Sequence, residues 1–316
     1  MSVLAHGPTD LEPFTPAALV TRADPVSVAA ALILVSAGLY AWGVARLRRR
    51  GHRWPVARTI AYGVGLGALG VATVSGLAAY DTTLLSVHMV QHMLLSMVGP
   101  IFLALGAPVT LALRALPVVP RRRLLAVLHS RAARVLTFPV VSYGIFVVGP
   151  FALYFSGLYR ASLENEWLHE LIHLHFLLSG CLFFWPLIGL DPLPGRMPYP
   201  LRALLMFLST PFHTVLGLTV MQSARLLGGD WYPSLGLSWL DPAADQRVAG
   251  GILLAGGEFV AVAMLAALVV QWMREAEREA RRIDRALDRA EAESVGSAEP
   301  TGPAGTISGH VRGGET

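Results

Sequence analysis

Seven stretches of about 20 mainly apolar residues, each long enough to cross a hydrocarbon layer as a helix, dominate the sequence. They cover residues 26–46, 57–79, 84–106, 136–158, 168–189, 202–226 and 248–272, punctuated by arginine, proline or glycine–aspartate clusters. Only 15% of the residues are charged and 54% are hydrophobic, where a soluble chain carries about a quarter charged. The expected fold is therefore an all-α, polytopic membrane bundle of about seven transmembrane helices. The third run is the least regular: apolar sequence continues through Gly106, Ala107 and Pro108 to Leu113, so Pro100 and Pro108 are expected to kink it or to turn its end along the interface.

Every one of the 25 basic residues is arginine, which excludes a lysine nucleophile or Schiff base and with it a retinal photoreceptor. The arginines alternate between loops. Twenty follow runs one, three, five and seven as far as Arg289, Arg312 lies in the tail, and only Arg22, Arg160, Arg225 and Arg247 occupy the opposite set. The positive-inside rule then puts the N-terminus outside and the C-terminus in the cytoplasm. It also explains the net charge of +4 without nucleic acid, which is not expected as a partner; membrane lipid is.

The organisation that follows is an extracytoplasmic segment over 1–25, a seven-helix membrane domain over 26–272, a cytoplasmic charged helix over 273–294 and a disordered tail over 295–316. The first 25 residues lack the basic start and cleavage site of a signal peptide, so the first run is expected to be a retained span. In the charged helix, opposite charges three or four apart, such as Glu277 and Arg281, suit a solvated face. Cys181 is the sole cysteine, so no intrachain disulfide forms.

Histidine placement carries the most chemical information. His6 and His310 lie in the tails, and His52 and His129 among arginines. His88, His92, His169, His173, His175 and His213 all fall in the outer half of the membrane or near its midplane. His88 and His92 share a helix face about 6 Å and 12 Å below an outer end near Leu84, with Gln91 on an adjoining side. His169 and His173 also share a face, while His175 points about 200° away from His173. Imidazole is costly in lipid, so these rings are expected to face the bundle interior.

Three readings of that cluster stand side by side. The histidines of runs three, five and six can surround a transition metal, with thioethers from Met89 and Met93 favouring copper(I), although a methionine stripe is also ordinary packing filler. They can ligate haem as in a membrane cytochrome, or serve as hydrogen-bonded core residues or a proton relay. Glu258 is an intramembrane acid, and Asp81, Asp245 and Gln246 are expected at the outer surface, shepherding a cation or capping helices. Glu164, Glu166 and Glu170 read as helix-start acids, and the aromatics of GGDWYPSLGLSWLDP as an interfacial belt. With no nucleophile elbow, Walker loop, HExxH or CxxC, an enzyme is not expected.

The stretches SVHMVQHMLLSMVGPIFLALGAPVTLALRALP, HLHFLLSGCLFFWPLIGLDP, STPFHTVLGL and WLDPAADQRVAGGILLAGGE resemble the multi-span CtaG family of cytochrome c oxidase assembly factors over roughly residues 25–275. The paired histidines of run three and the DQ-x-x-AG-to-GE stretch entering run seven are the most specific parts. The resemblance implies a multi-pass protein of the bacterial plasma membrane that supports maturation of a haem–copper oxidase, with oxidase subunits as partners and copper as the metal. It implies His88, His92, His173, His175 and His213 as copper-related positions, and Asp245, Gln246 and Glu258 as members of the family pattern. A copper transporter and a haem-binding cytochrome are the alternatives.

Overall fold

A computed structural model describes residues 11–194 and 197–297, with side chains described through residue 290. The described residues are helical and contain no strand. Six helices are long and apolar enough to span a membrane: Val28–Arg49, Val56–Tyr80, Leu85–Ala115, Glu166–Ile188, Tyr199–Gln222 and Pro242–Ala290. A seventh span, fourth in chain order, is made if the bent pair Pro139–Tyr154 and Leu158–Glu164 is counted as one. Large apolar side chains such as Leu34, Leu171, Phe207 and Phe259 stand exposed on the flanks of these helices. Water would not tolerate such a surface and lipid does, so the chain is read as a polytopic membrane bundle.

Local chemistry sets the helix ends. Ser27 accepts the Ala30 N–H before span one, Asn165 the Leu168 N–H before span five, and Asp241 the N–H groups of Ala243 and Ala244 before span seven. Span four departs from the expected single helix over 136–158. It stops at Tyr154 and turns by 71° into Leu158–Glu164. Ser156 makes the corner, donating to the Ala152 carbonyl and accepting the Leu158 N–H, so the hydroxyl closes one helix and opens the next.

Span three is interrupted twice. Residues Leu94–Val98 form a π-helical turn directly after His92. Pro100 has no N–H to give Ser96, and the Gly99 N–H reaches Leu94, five residues back. At Ala107 the chain adopts a left-handed conformation, φ +48°, because a residue before proline is pushed out of the right-handed helix. The chain then re-enters a helix over Pro108–Ala115, whose first N–H groups, Val109 and Thr110, are capped by Asp191. The expected bend at Pro108 is thus a break between two helices.

Spans two and five both pack against span three. The approach of span five is closest at Gly180, where a Cβ would overlap the Ser96 carbonyl that Pro100 leaves without its usual helical donor. Span six meets span seven in a similar way, Gly250 lying against the backbone of Met221. Residues to Val269 form one compact unit, and those from Val270 a second. The helix of span seven continues without a break to Ser297, past the expected end at 294; residues 298–316 of the expected tail, like His6 and His310, lie outside the described residues.

Gly180→Leu is expected to lower the melting temperature of the purified protein through overpacking worth about 1–3 kcal/mol. Gly67→Leu, at a position with open space around it, is expected to leave the melt unchanged.

Candidate metal centre

Four histidines and one carboxylate meet between spans three and five at the end of the bundle where span two turns into span three. Asp81 closes the short helix Leu77–Tyr80 in that turn. His88 and His92 come from the first turns of span three, and His169 and His173 from span five. The i, i+4 spacing within each pair brings the rings together, tilted with centroids 3.9 Å apart for His88 and His92 and edge-on at 4.4 Å for His169 and His173. Across the two helices His88 lies 5.5 Å from His169, and His92 lies 5.7 Å from His173.

All five side chains are buried. Asp81, expected near the outer membrane surface, is packed inside the protein at only 6% exposure, with His169 Nε2 3.1 Å and His173 Nε2 3.9 Å from its Oδ2. Ligand atoms of Asp81, His169 and His173 fall within 4.8 Å of one another, a spacing that one ion can bridge. The Nε2 atoms of His92 and His173 and the Nδ1 of His169 are buried without a hydrogen bond, and neither ring nitrogen of His88 has a side-chain partner. Buried polar nitrogens normally find partners, so this group of unpartnered ring nitrogens is chemically unfinished.

Aromatic residues wall the cluster. The Tyr154 hydroxyl is 2.7 Å from His92 Nδ1, the Phe176 ring is tilted against His92 at 4.2 Å, and the Tyr159 ring is 5.2 Å from His88. The 71° corner of span four is what puts Tyr154 and Tyr159 on the same site. Tyr159 in turn shares a 2.5 Å hydrogen bond with Tyr232, in the loop between spans six and seven. Burial pushes the Tyr232 phenol well above its usual range, so it stays neutral. The loop expected to be an interfacial belt therefore has a second duty. Trp231 donates to the Thr82 carbonyl next to Asp81, and Trp239 to the Leu11 carbonyl, tying the loop over the site.

The other expected residues are placed elsewhere. His175 is exposed on the far side of span five, with its Nε2 against Gly149 of span four, as the 200° offset from His173 requires. His213 is buried against Gly257 and Phe146 with its Nδ1 toward the Ser209 carbonyl, and makes no ring contact with the four clustered histidines. The Thr214 hydroxyl bonds Glu258, forming a separate polar contact between spans six and seven. Met89 is fully buried in the main core, and Met93 lies against Gly256 of span seven.

Asp245 and Gln246 lash elements together. Asp245 accepts from the N–H and hydroxyl of Ser86, so span seven caps the start of span three two residues before His88. Gln246 accepts the Leu227 N–H and donates toward the carbonyls of Val220, Ser223 and Arg225. Glu170 does more than begin a helix: its carboxylate is 3.9 Å from His173 Nδ1, on the solvent-accessible side of that ring. His169 is the member that the implied ligand set left out, although its four-residue spacing from His173 was visible. Tyr154, Tyr159 and Tyr232 had no spacing signal, being assembled from a bend and a distant loop.

Fold and centre together define a polytopic helical membrane protein built around an internal histidine–carboxylate cluster. The sequence matches the family model of the cytochrome c oxidase caa3 assembly factor (Caa3_CtaG) over residues 38–275, and the chain belongs to that family. It is 41% identical over 267 residues to uncharacterized proteins of Mycobacterium bovis and of Mycobacterium tuberculosis, and 38% identical over 268 residues to one of Mycobacterium leprae. These matches cover 82% of this chain but 40% of each relative, so the chain spans about two fifths of the length of the curated relatives it matches. No solved structure matches the chain.

Transition-metal binding by the purified protein, measured as bound copper after dialysis, is expected to be abolished by His169→Ala and unchanged by His175→Ala.

Proposed function

We propose that the chain holds a copper ion in the cluster of Asp81, His88, His92, His169 and His173 and hands it on during assembly of a haem–copper oxidase. The observation that carries this reading is the set of buried imidazole nitrogens without partners gathered around one buried carboxylate. Imidazole suits copper, and a carboxylate offsets part of a cation's charge in a low-dielectric interior. The proposed role is not enzymatic: the chain binds, shields and releases its cargo.

Each residue has a task in this reading. When Nδ1 of His92 donates to the Tyr154 oxygen, Nε2 turns its lone pair to the cluster, the usual way an outer partner orients a metal-binding histidine. Asp81 does the same for His169, whose Nε2 faces the carboxylate while Nδ1 stays free. Phe176, Tyr159 and Tyr232 keep water from the site. With Arg-rich loops on the cytoplasmic side, the cluster opens toward the extracytoplasmic half of the bacterial plasma membrane, where Glu170 stands at its rim.

Compactness favours an ion over haem. Bis-histidine haem ligation needs two imidazoles on opposite faces of a porphyrin-sized slab. Here the four rings are clustered, with centroids from 3.9 Å to 6.5 Å apart between His88 and its three neighbours.

Purified wild-type protein is expected to carry stoichiometric copper and no Soret band, His88→Ala/His92→Ala to carry none, and Tyr154→Phe to bind about 10–100-fold more weakly. Equal, negligible copper in wild type and double variant overturns the reading. In cells, deletion is expected to lower oxidase activity, with recovery on graded copper addition and no recovery from the double variant. Copper flux into vesicles with unchanged oxidase activity identifies a transporter instead.

A further inference from the structure

We propose that the opposite end of the bundle binds an anionic phospholipid, its phosphate met by Arg46, Arg58 and Arg114 and an acyl chain lying in the groove beside span one. This site is independent of the metal reading.

The groove, about 380 Å³, runs between span one, Tyr62 of span two and the helix Pro108–Ala115, with Leu39, Trp42, Leu111, Leu116 and Leu124 in its walls. The polar groups of the wall are already used. Ser36 bonds the Tyr62 hydroxyl at 2.7 Å, and the Tyr40 hydroxyl donates to the Gly106 carbonyl at 2.9 Å. What remains for an occupant is hydrocarbon contact, and the floor is firm, since Gly43 lies directly against Leu111.

Three guanidinium groups are linked to this groove through two indoles. Arg46 lies 5.3 Å over the ring of Trp42, itself a wall residue. Arg58 and Arg114 share one indole, 5.1 Å and 5.9 Å from the Trp54 ring, and Trp54 donates to Tyr40 of the wall. A cation–π contact with indole holds a guanidinium group without using its N–H groups. Among the described residues none of the three pairs with a carboxylate, and Arg46 Nε is buried without a hydrogen bond.

No local acid supplies the missing countercharge. The sequence has no Asp or Glu between Asp24 and Asp81, or between Asp81 and Glu164. The carboxylate that reaches this end, Asp191, is engaged by Val109, Thr110 and Trp185. A phosphate diester matches guanidinium forks bidentately, and the lipid headgroup layer is where the ends of membrane spans meet that chemistry. The adjoining apolar groove distinguishes a phospholipid from a soluble phosphate.

The test uses the full chain purified in neutral detergent and stripped of lipid, with its melting temperature followed as phosphatidylglycerol, phosphatidylcholine or inorganic phosphate is added. Phosphatidylglycerol at about a hundredfold excess over its Kd is expected to raise the melt by roughly 5–10 °C, with little response to the other two. Arg46→Gln/Arg58→Gln/Arg114→Gln is expected to lose that response, and Ala112→Phe, which fills the groove and keeps every charge, is expected to lose it too. Ala112→Phe keeps the test decisive should the triple variant not fold. Equal stabilisation by phosphatidylcholine, an equal response to inorganic phosphate, or an undiminished response in Ala112→Phe would overturn the proposal.

Discussion

Lipid supplies no hydrogen bonds, so a polar side chain within a membrane bundle must be satisfied by other parts of the protein or by a ligand. The contact between Asp81 and His169 is where that constraint bites hardest, because it places an ionisable acid next to imidazole in the interior. A buried pair of this kind costs desolvation energy and returns it only through close partners. Much of the surrounding structure supplies them: the turn after span two delivers Asp81, span five delivers two histidines, and the loop before span seven bonds to the Thr82 carbonyl beside Asp81.

Backbone irregularities of the bundle concentrate around that constraint. Pro100 opens a π turn just after His92, and Gly180 lets span five settle onto the Ser96 carbonyl exposed there, which brings His169 and His173 within reach of span three. The corner at Ser156 aims Tyr154 and Tyr159 at the same rings. Asp245 grips Ser86 at the mouth of span three, so span seven holds the histidine-bearing turn without entering the cluster. The residues of the DQ-x-x-AG-to-GE stretch are thus divided between capping, loop tethering and a second polar contact at Glu258 and Thr214.

The two ends of the bundle carry opposite chemistry. One gathers acids and imidazoles, donors suited to a cation, and lids them with tyrosine and tryptophan. The other gathers guanidinium groups beside an apolar groove, donors suited to a phosphate with a hydrocarbon tail. Each end leaves buried polar atoms without a hydrogen bond, His92 Nε2 and His173 Nε2 at one and Arg46 Nε at the other.

Some of this was determined by the sequence alone. Apolar runs of membrane length fix the class of fold, because hydrocarbon thickness sets helix length, and the i, i+4 spacing of His88 with His92 and of His169 with His173 fixes two histidine faces. The same arithmetic turned His175 away. What the sequence does not contain is which faces meet. Only the tertiary structure joined His169 to His88 and separated His213 from both, because span five docks on span three through Gly180 while His213 is taken up by Gly257 and Phe146. It also packed Asp81 against the histidines and brought Tyr232 to Tyr159. Those contacts join residues far apart in the chain, and helical periodicity is a local property that cannot carry them.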